Sequence, residues 1–116
     1  MELLQGTLDM LVLKTLIFGP LHGYGIAQAI RNNSRETLEV ELGSVYPALA
    51  RLEIKGWIAS KWDTSELNRR AKFYRLTPAG RKRLNQEHSK WAQFVEAVAS
   101  VMGPLEAAHA KGRGKR

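Results

Sequence analysis

The segment from Gly43 to Gly56 constrains the fold most, because both of its ends carry the signals of one short helix. Ser44 is a residue type that caps helices by accepting a hydrogen bond from a free backbone N–H group. Pro47 is tolerated in a first turn, and Gly56 suits the left-handed conformation that ends many helices. The segment is therefore predicted to form one helix of about three turns.

The predicted helix has two faces. At about 100° per residue its aliphatic side chains gather on one side, and these are Val45, Ala48, Leu49 and Leu52. The other side carries Ser44, Pro47, Arg51 and Lys55. Such a helix fits the DNA major groove, where arginine donates twice to guanine and serine bonds several bases. The alternative for this segment alone is an ordinary core helix whose polar side faces water.

Composition limits the class of protein. The 116 residues suffice for one domain with an appended element, and 18 basic against 11 acidic side chains give a net charge of +7. This surplus favours an anionic polymer or membrane as partner. The absence of cysteine excludes disulfides and thiolate metal sites. No signal peptide and no membrane span is recognisable, so the sequence predicts a soluble cytoplasmic protein.

The charge is concentrated in the second half of the chain. Between Leu67 and Asn85 no acidic residue occurs, whereas seven are basic, namely Arg69, Arg70, Lys72, Arg75, Arg81, Lys82 and Arg83. Residues 104–116 add four more cations among glycines and are predicted to form a disordered basic tail.

Two helices are predicted before the central one. Thr7 is expected to cap the first, with Asp9 near its positive end, and Gly19-Pro20 ends it. Its predicted core residues are Leu8, Leu11, Val12, Thr15 and Leu16. The second is predicted from Leu21 to Arg31, with Ile26, Ala29 and Ile30 facing inward. Its glycines, Gly23 and Gly25, match no nucleotide-binding motif and are explained by close helix packing.

Three strands complete the predicted pattern. Alternation over residues 38–42 predicts a short strand, and Trp57–Asp63 with Lys72–Leu76 predicts a hairpin around a polar, basic loop. The order of helices and strands is typical of a winged helix-turn-helix, in which the hairpin lies beside the helix that reads the groove. The predicted fold class is mainly α with a small β-wing.

Thr77-Pro78 signals a last helix from about Ala79 to Met102, ended by Gly103-Pro104. One side of this helix carries a stripe at heptad spacing, formed by Leu84, His88, Trp91, Val95, Val98 and Met102 and widened by Phe94 and Val101. The stripe is predicted to meet a second copy of itself as a dimer interface. The alternative is a helix that folds back over its own domain.

Three ordered motifs resemble the PadR family of bacterial transcriptional regulators. They are Gly19-Pro20-Leu21-His22-Gly23-Tyr24, the stretch from Gly43 to Glu53, and the stretch from Lys72 to Gly80. The resemblance covers residues from about Leu4 to Met102. Gly25 departs from it, because many members carry a larger and often acidic residue there, which affects only the packing of the second helix.

The resemblance implies a dimeric repressor on an inverted-repeat operator, of the family's smaller branch with one C-terminal dimerisation helix. Residues 1–78 would bind DNA and residues 79–103 would make the dimer. Ser44, Tyr46, Pro47 and Arg51 would lie on the reading helix, and helical spacing adds Lys55 at its end. Arg69, Arg70 and Lys72 would lie on the wing.

The side-chain types predict which of these residues would contact bases and which would contact phosphates. Arg51 is the predicted base reader, whereas Ser44 is expected to bond either a base or a phosphate. Tyr46 is expected to reach a phosphate or to pack against the wing. The wing cations are predicted to neutralise phosphates, the alternative being an ordinary solvated loop.

Regulation and rival functions complete the predictions. A small aromatic ligand held by Trp91 and Phe94 between the dimer helices is predicted to alter the spacing of the reading helices. His22, His88 and His109 belong to no catalytic or metal motif, so neither an enzyme nor a cofactor is predicted. His88 is interpreted as a tolerated polar residue or a pH-sensitive element. The alternative function is a winged module for protein contacts, RNA or non-specific nucleic-acid binding, without ligand sensing.

Overall fold

The computed structural model describes residues 5–104, and its helices and strands follow the order α1 Gln5–Thr15, a 3-10 helix Leu16–Phe18, β1 Leu21–His22, α2 Gly23–Asn33, α3 Leu42–Ile54, β2 Ile58–Thr64, β3 Arg70–Leu76 and α4 Pro78–Met102. A first compact unit ends at Asn85 and a second begins at Gln86. The predicted basic tail, apart from Pro104, lies outside the described residues.

The three strands form one antiparallel sheet in the order β1-β3-β2. In the hairpin, Ile58 lies opposite Leu76 and Thr64 lies opposite Arg70. The predicted hairpin is therefore confirmed, although β3 begins at Arg70, earlier than expected, and Trp57 precedes β2. The connecting loop covers residues 65–69.

The sheet's third strand is not the predicted one. Residues 37–41 have no regular secondary structure, so the strand predicted there is wrong. Leu38 and Val40 nevertheless pack against the core, which explains their alternation without a strand partner. The free edge of β3 is occupied instead by β1, where Leu21 lies opposite Tyr74. The second helix therefore begins at Gly23 rather than Leu21.

The core of the first unit is built from one side of each helix and from the sheet. Its buried members are Leu8, Val12, Leu13, Leu16, Ile26, Ile30, Val45, Ala48, Leu49, Leu52, Ile58, Tyr74 and Leu84. The predicted buried face of α3 is confirmed in full, whereas Leu11 and Ala29 are only half-buried. Leu13 is buried in addition because α1 packs against both α2 and α3.

Two predicted N-terminal caps are wrong. α3 begins at Leu42, and Glu41 O already accepts bonds from Ser44 N at 2.9 Å and Val45 N at 3.1 Å. Ser44 therefore lies inside the first turn and is not the cap, and Pro47 lies further inside the helix than predicted. Thr7 likewise lies within α1. The predicted left-handed exit is confirmed, since Gly56 has a φ of 77°.

The predicted cap of α4 is confirmed. Thr77 Oγ1 accepts a hydrogen bond from Gly80 N at 3.0 Å and donates one to Gly56 O at 2.7 Å. Gly80 is buried beside the chain that follows α3. The approach is close enough that a Cβ at this position would lie 1.9 Å from Trp57 O, so only glycine fits. The start of α4 is thereby attached to the chain that follows α3.

The first unit extends into α4, beyond the predicted boundary at residue 78. Leu84 is only 3% exposed and belongs to the core, so its predicted place in a dimer interface is wrong. From His88 to Met102 every side chain is exposed in the single chain. None of the helices between residues 5 and 104 is long and apolar enough to cross a membrane.

Candidate nucleic-acid interface

The N-terminal half of α3 presents an uncovered surface. Ser44, Tyr46 and Pro47 are exposed, because the residues that alternate with them, Val45 and Ala48, fill the core. The helix is entered through an extended, irregular segment, residues 37–41, rather than through a strand. Three of the five predicted reading residues therefore lie together on one open side of α3.

Arg51 is held by a residue of α1. Its Nη2 donates to Asp9 Oδ1 at 2.8 Å, with the two side chains 32% and 17% exposed. Arg51 Nε is buried and makes no hydrogen bond within residues 5–104. The sequence predicted Asp9 only as a favourable charge near the N-terminus of α1. Its pairing with Arg51 was not predicted, because the two residues are far apart in sequence.

Lys55 lies at the other end of α3, where it is the C-terminal cap residue. Its Nζ is 4.9 Å from the centre of the Trp57 ring, and the guanidinium carbon of Arg83 is 4.7 Å from the same ring. Both are cation–π contacts. At 1.5 Å of rise per residue, Lys55 is about 16 Å along the helix from Ser44. The predicted reading residues therefore do not form one patch.

Tyr46 packs on the start of α2. Its ring lies over Gly23, where a Cβ would come within 2.6 Å of Tyr46 Cε1. This contact confirms the prediction that close helix packing explains Gly23. The tyrosine stays half-exposed, at 50% of its surface, and faces the wing side of the molecule.

His22 caps α2, a role that the sequence did not reveal. Its Nδ1 accepts a hydrogen bond from Gly25 N at 2.9 Å, and its Nε2 lies 3.8 Å from Glu66 Oε1 in the wing loop. On the next turn of α2, Gln28 Nε2 donates to the hydroxyl of the exposed Tyr24 at 2.5 Å. The exposed Tyr24 and the half-buried Gln28 are further polar groups that the predicted site residues did not include.

The wing presents two of its three predicted cations to solvent. Arg69 and Arg70 are exposed, and the Arg70 guanidinium lies 5.4 Å from the centre of the Trp62 ring. Lys72 instead turns towards α3, where its Nζ is 3.8 Å from Glu53 Oε1. The wing loop is closed by hydrogen bonds from Ser65 N to Arg69 O and from Asn68 N to Ser65 O.

A groove of about 480 Å³ separates the wing from α2 and α3. Aromatic and cationic side chains line it together, among them His22, Tyr24, Tyr46, Trp62, Arg69, Arg70, Lys72 and Tyr74. Cations attract phosphates, and aromatic rings offer flat apolar surface to sugars and bases. The groove is therefore suited to a nucleic-acid backbone.

Tyr74 lines this groove and is buried. Burial raises the pKa of its phenol, and the negative charge of Glu53 and the neighbouring Tyr46 raise it further. The phenol therefore stays protonated at neutral pH. Within residues 5–104 no cluster of three or more histidine, aspartate or glutamate side chains is placed to bind a metal ion.

The order α1, β1, α2, α3 and a two-stranded wing, with the open side of α3 beside a cationic loop, defines a winged helix-turn-helix DNA-binding protein. The comparisons with known proteins agree with this class. The sequence profile of the Transcriptional regulator PadR-like family matches residues 12–86. The chain belongs to the PadR-like family of transcriptional regulators, which are DNA-binding proteins and not enzymes.

Solved structures of similar chains support the assignment. A transcriptional regulator from Clostridium thermocellum is 32% identical, with a TM-score of 0.75 over 83% of this chain and 90% of that one. A PadR family regulator from Eggerthella lenta is 30% identical, with a TM-score of 0.72 over 85% and 84%.

A longer relative also contains this sequence pattern. An uncharacterized 37.1 kDa transposon protein of Streptomyces fradiae is 41% identical over 101 residues, which are 87% of this chain and 28% of that protein. The chain thus spans little more than a quarter of that relative.

Proposed function

We propose that this regulator is a homodimeric repressor that binds a pseudo-palindromic operator through α3 and the wing. The observation that carries the proposal is the groove at which the open end of α3 and the cationic loop meet. A duplex docked there would receive α3 in its major groove and the wing on its backbone. Repression would follow where the operator overlaps the regulated promoter.

The open half of α3 supplies the proposed base-side contacts. Ser44 lies in the first turn, where free backbone N–H groups attract phosphate, so it bonds a phosphate or a base edge. Tyr46 and Pro47 lie beside it on the exposed side. Arg51 remains the proposed guanine reader, and it would share its guanidinium between guanine and Asp9.

The proposed backbone contacts come mainly from the wing. Arg69 and Arg70 are exposed, and they lie in the stretch from Leu67 to Asn85, which has no acidic residue. Replacing either with alanine is expected to weaken binding to all DNA sequences alike. It should also reduce the slope of log affinity against log salt concentration by about one. Lys72 is expected to contribute less because its ammonium already lies 3.8 Å from Glu53 Oε1, and Lys55 because it lies at the far end of α3.

The exposed stripe of α4 supports the dimer. We define this dimer stripe as His88, Trp91, Phe94, Val95, Val98 and Met102, with Leu84 removed from the predicted set because it is buried. We infer that this apolar stripe, which contains two large aromatic residues, packs against the same stripe of a second protomer. On B-DNA the paired reading helices would lie about 34 Å apart, one turn of the duplex.

A small aromatic effector is the proposed signal. Trp91 and Phe94 are exposed in the single chain and would face each other across the dimer seam. A ligand that binds one dimer spacing more tightly than another would shift the population of dimers and change operator affinity. Quenching of tryptophan fluorescence by aromatic compounds, lost in Trp91→Ala, would support this site.

The experiment is a binding titration of the full chain with the DNA upstream of its coding region. Scrambled duplex and RNA are the competitors, at about 150 mM salt, because electrostatic binding dominates at lower salt. We expect preference for the upstream duplex and a footprint of two symmetric half-sites about one turn apart. Equal binding to all three, or one asymmetric half-site, would contradict the proposal. Equal binding to both duplexes and to RNA would favour a non-specific winged module.

A further inference from the structure

Glu53 on α3 contacts both strands of the wing. Its Oε2 accepts a hydrogen bond from Ser60 Oγ of β2 at 2.6 Å, and its Oε1 lies 3.8 Å from Lys72 Nζ of β3. The carboxylate is 36% exposed, so this pair is only partly screened by water. It is a contact between the reading helix and the hairpin, and Glu53 is not itself among the proposed DNA contacts.

The hairpin presents these partners on one face. Ser60 lies opposite Tyr74 and Trp62 lies opposite Lys72, and side chains two residues apart on a strand share a face. Lys72 Nζ is also 5.8 Å from the centre of the Tyr74 ring. Glu53 raises the pKa of Tyr74, after the larger effect of burial, which agrees with its position over this face.

We propose that Glu53 is a positioning residue that holds the wing in register with the reading helix. Through Ser60 and Lys72 it would set where Arg69 and Arg70 stand relative to the exposed turn of α3. The inference rests on the DNA interface proposed above. When the wing is correctly placed, its phosphate contacts and the base contacts of α3 can form at the same time. When the wing is displaced, forming one set of contacts pulls the other out of place.

Charge alone predicts the opposite effect. A carboxylate beside DNA repels phosphates, so its neutralisation would strengthen binding to every duplex. A positioning role predicts weaker binding to the operator, while binding to scrambled duplex stays equal or becomes stronger. The ratio of the two affinities therefore separates positioning from simple electrostatics.

The test compares Glu53→Gln with Glu39→Gln in the full chain. Glu39 is exposed in the segment before α3, so both variants remove the same charge from the same unit. We expect Glu53→Gln to lower the ratio of operator to scrambled affinity about tenfold, because glutamine can still accept a neutral hydrogen bond from Ser60 but loses the charge that strengthens this bond and pairs with Lys72. Glu39→Gln should leave the ratio unchanged. Equal ratios for the two variants would overturn the inference.

A second measurement detects the coupling directly. Arg70→Ala is introduced into the natural chain and into Glu53→Gln, and operator affinity is measured against salt. We expect the loss of salt slope caused by Arg70→Ala to be smaller in the Glu53→Gln background, because the wing there no longer meets its phosphate. An identical loss in both backgrounds would overturn the inference even if Glu53→Gln were less stable.

The two proposals fail in different ways. If the natural chain does not prefer the operator over scrambled duplex, the proposed function fails and the role of Glu53 fails with it. If the natural chain discriminates and Glu53→Gln behaves as Glu39→Gln does, only the positioning role fails. Circular dichroism of each variant at the assay temperature verifies that folded protein is compared.

Discussion

Arg51 illustrates how one residue can satisfy a sequence pattern and still have an unexpected partner. Its position on α3 lies between the buried and the open sides, so helical periodicity assigned it to the outside. In the structure it bonds Asp9 of α1, across 42 positions of sequence. Spacing reveals the direction of a side chain, but it does not reveal which distant acid stands opposite.

The ion pair has a stability effect that is separate from DNA binding. We expect Arg51→Ala to lower the free energy of unfolding by about 1–2 kcal/mol, because Asp9, only 17% exposed, would lose its charged donor. Urea unfolding monitored by circular dichroism measures the change. Arg69→Ala removes the same charge from an exposed loop and should have almost no effect on stability. Equal stability of the two variants would contradict the role of the pair.

The same variant tests base reading. If Arg51 reads guanine, Arg51→Ala should cost about 1–3 kcal/mol of operator binding and relax preference at one base pair. Selection of binding sites from a randomised duplex measures that preference. A loss spread evenly over every position would indicate that Arg51 acts only through Asp9.

Tyr74 gives the folded protein a specific response to alkaline pH. Its pKa is raised above 10.0 in the folded chain, so above pH 10 the unfolded chain releases a proton that the folded chain retains. The stability due to this group is therefore complete below pH 10 and is lost as the pH rises through the folded pKa. Urea unfolding at pH 9 and about pH 11 should show a smaller loss for Tyr74→Phe than for the natural chain. Tyr24→Phe, at an exposed tyrosine, should retain the full loss.

Among the helices and strands, the approach of α4 to the end of α3 depends on one glycine. A Cβ at residue 80 would lie 1.9 Å from Trp57 O and 2.8 Å from its carbonyl carbon, which are backbone atoms that cannot rotate away. We expect Gly80→Ala to lower the unfolding free energy by about 1–3 kcal/mol or more. Thermal or urea unfolding measures the loss.

Gly43 is the matched control for this substitution. It lies in the first turn of α3, and a Cβ there would have no heavy atom within 4 Å. Gly43→Ala should be neutral or stabilising by up to about 1 kcal/mol, because alanine loses less backbone entropy in a helix. If both variants lost the same stability, close packing at Gly80 would not be the cause.

The predicted elements succeeded where their signals were local. The hairpin and α4 were predicted because alternation, a cap and a terminal glycine all lie within the segment itself. β1 was missed because it has only two residues and exists by pairing Leu21 with Tyr74 from a distant strand. The converse error was to predict a strand from the alternation of Leu38 and Val40. These residues pack against the core without strand pairing.

For the whole molecule, the proposed dimer depends on α4 beyond the first unit. We expect Phe94→Glu to convert the protein to a monomer, because a charge would enter an apolar seam without a partner. Sedimentation equilibrium measures the change in mass, and operator affinity should fall with it. Gln93→Glu adds the same charge on the opposite side of the helix and should leave the dimer intact. A monomeric natural chain, or a dimeric Phe94→Glu protein, would contradict the proposed interface.

The sequence by itself determined the helices, the hairpin, the buried face of α3 and membership in its family, because these follow from spacing and motifs within short segments. The tertiary structure alone decided which polar groups near the reading helix already have partners. It pairs Arg51 with Asp9 and Glu53 with Ser60 and Lys72, and it buries Leu84 in the core. Such contacts join residues on different helices and strands, and their geometry exists only once those elements have packed together.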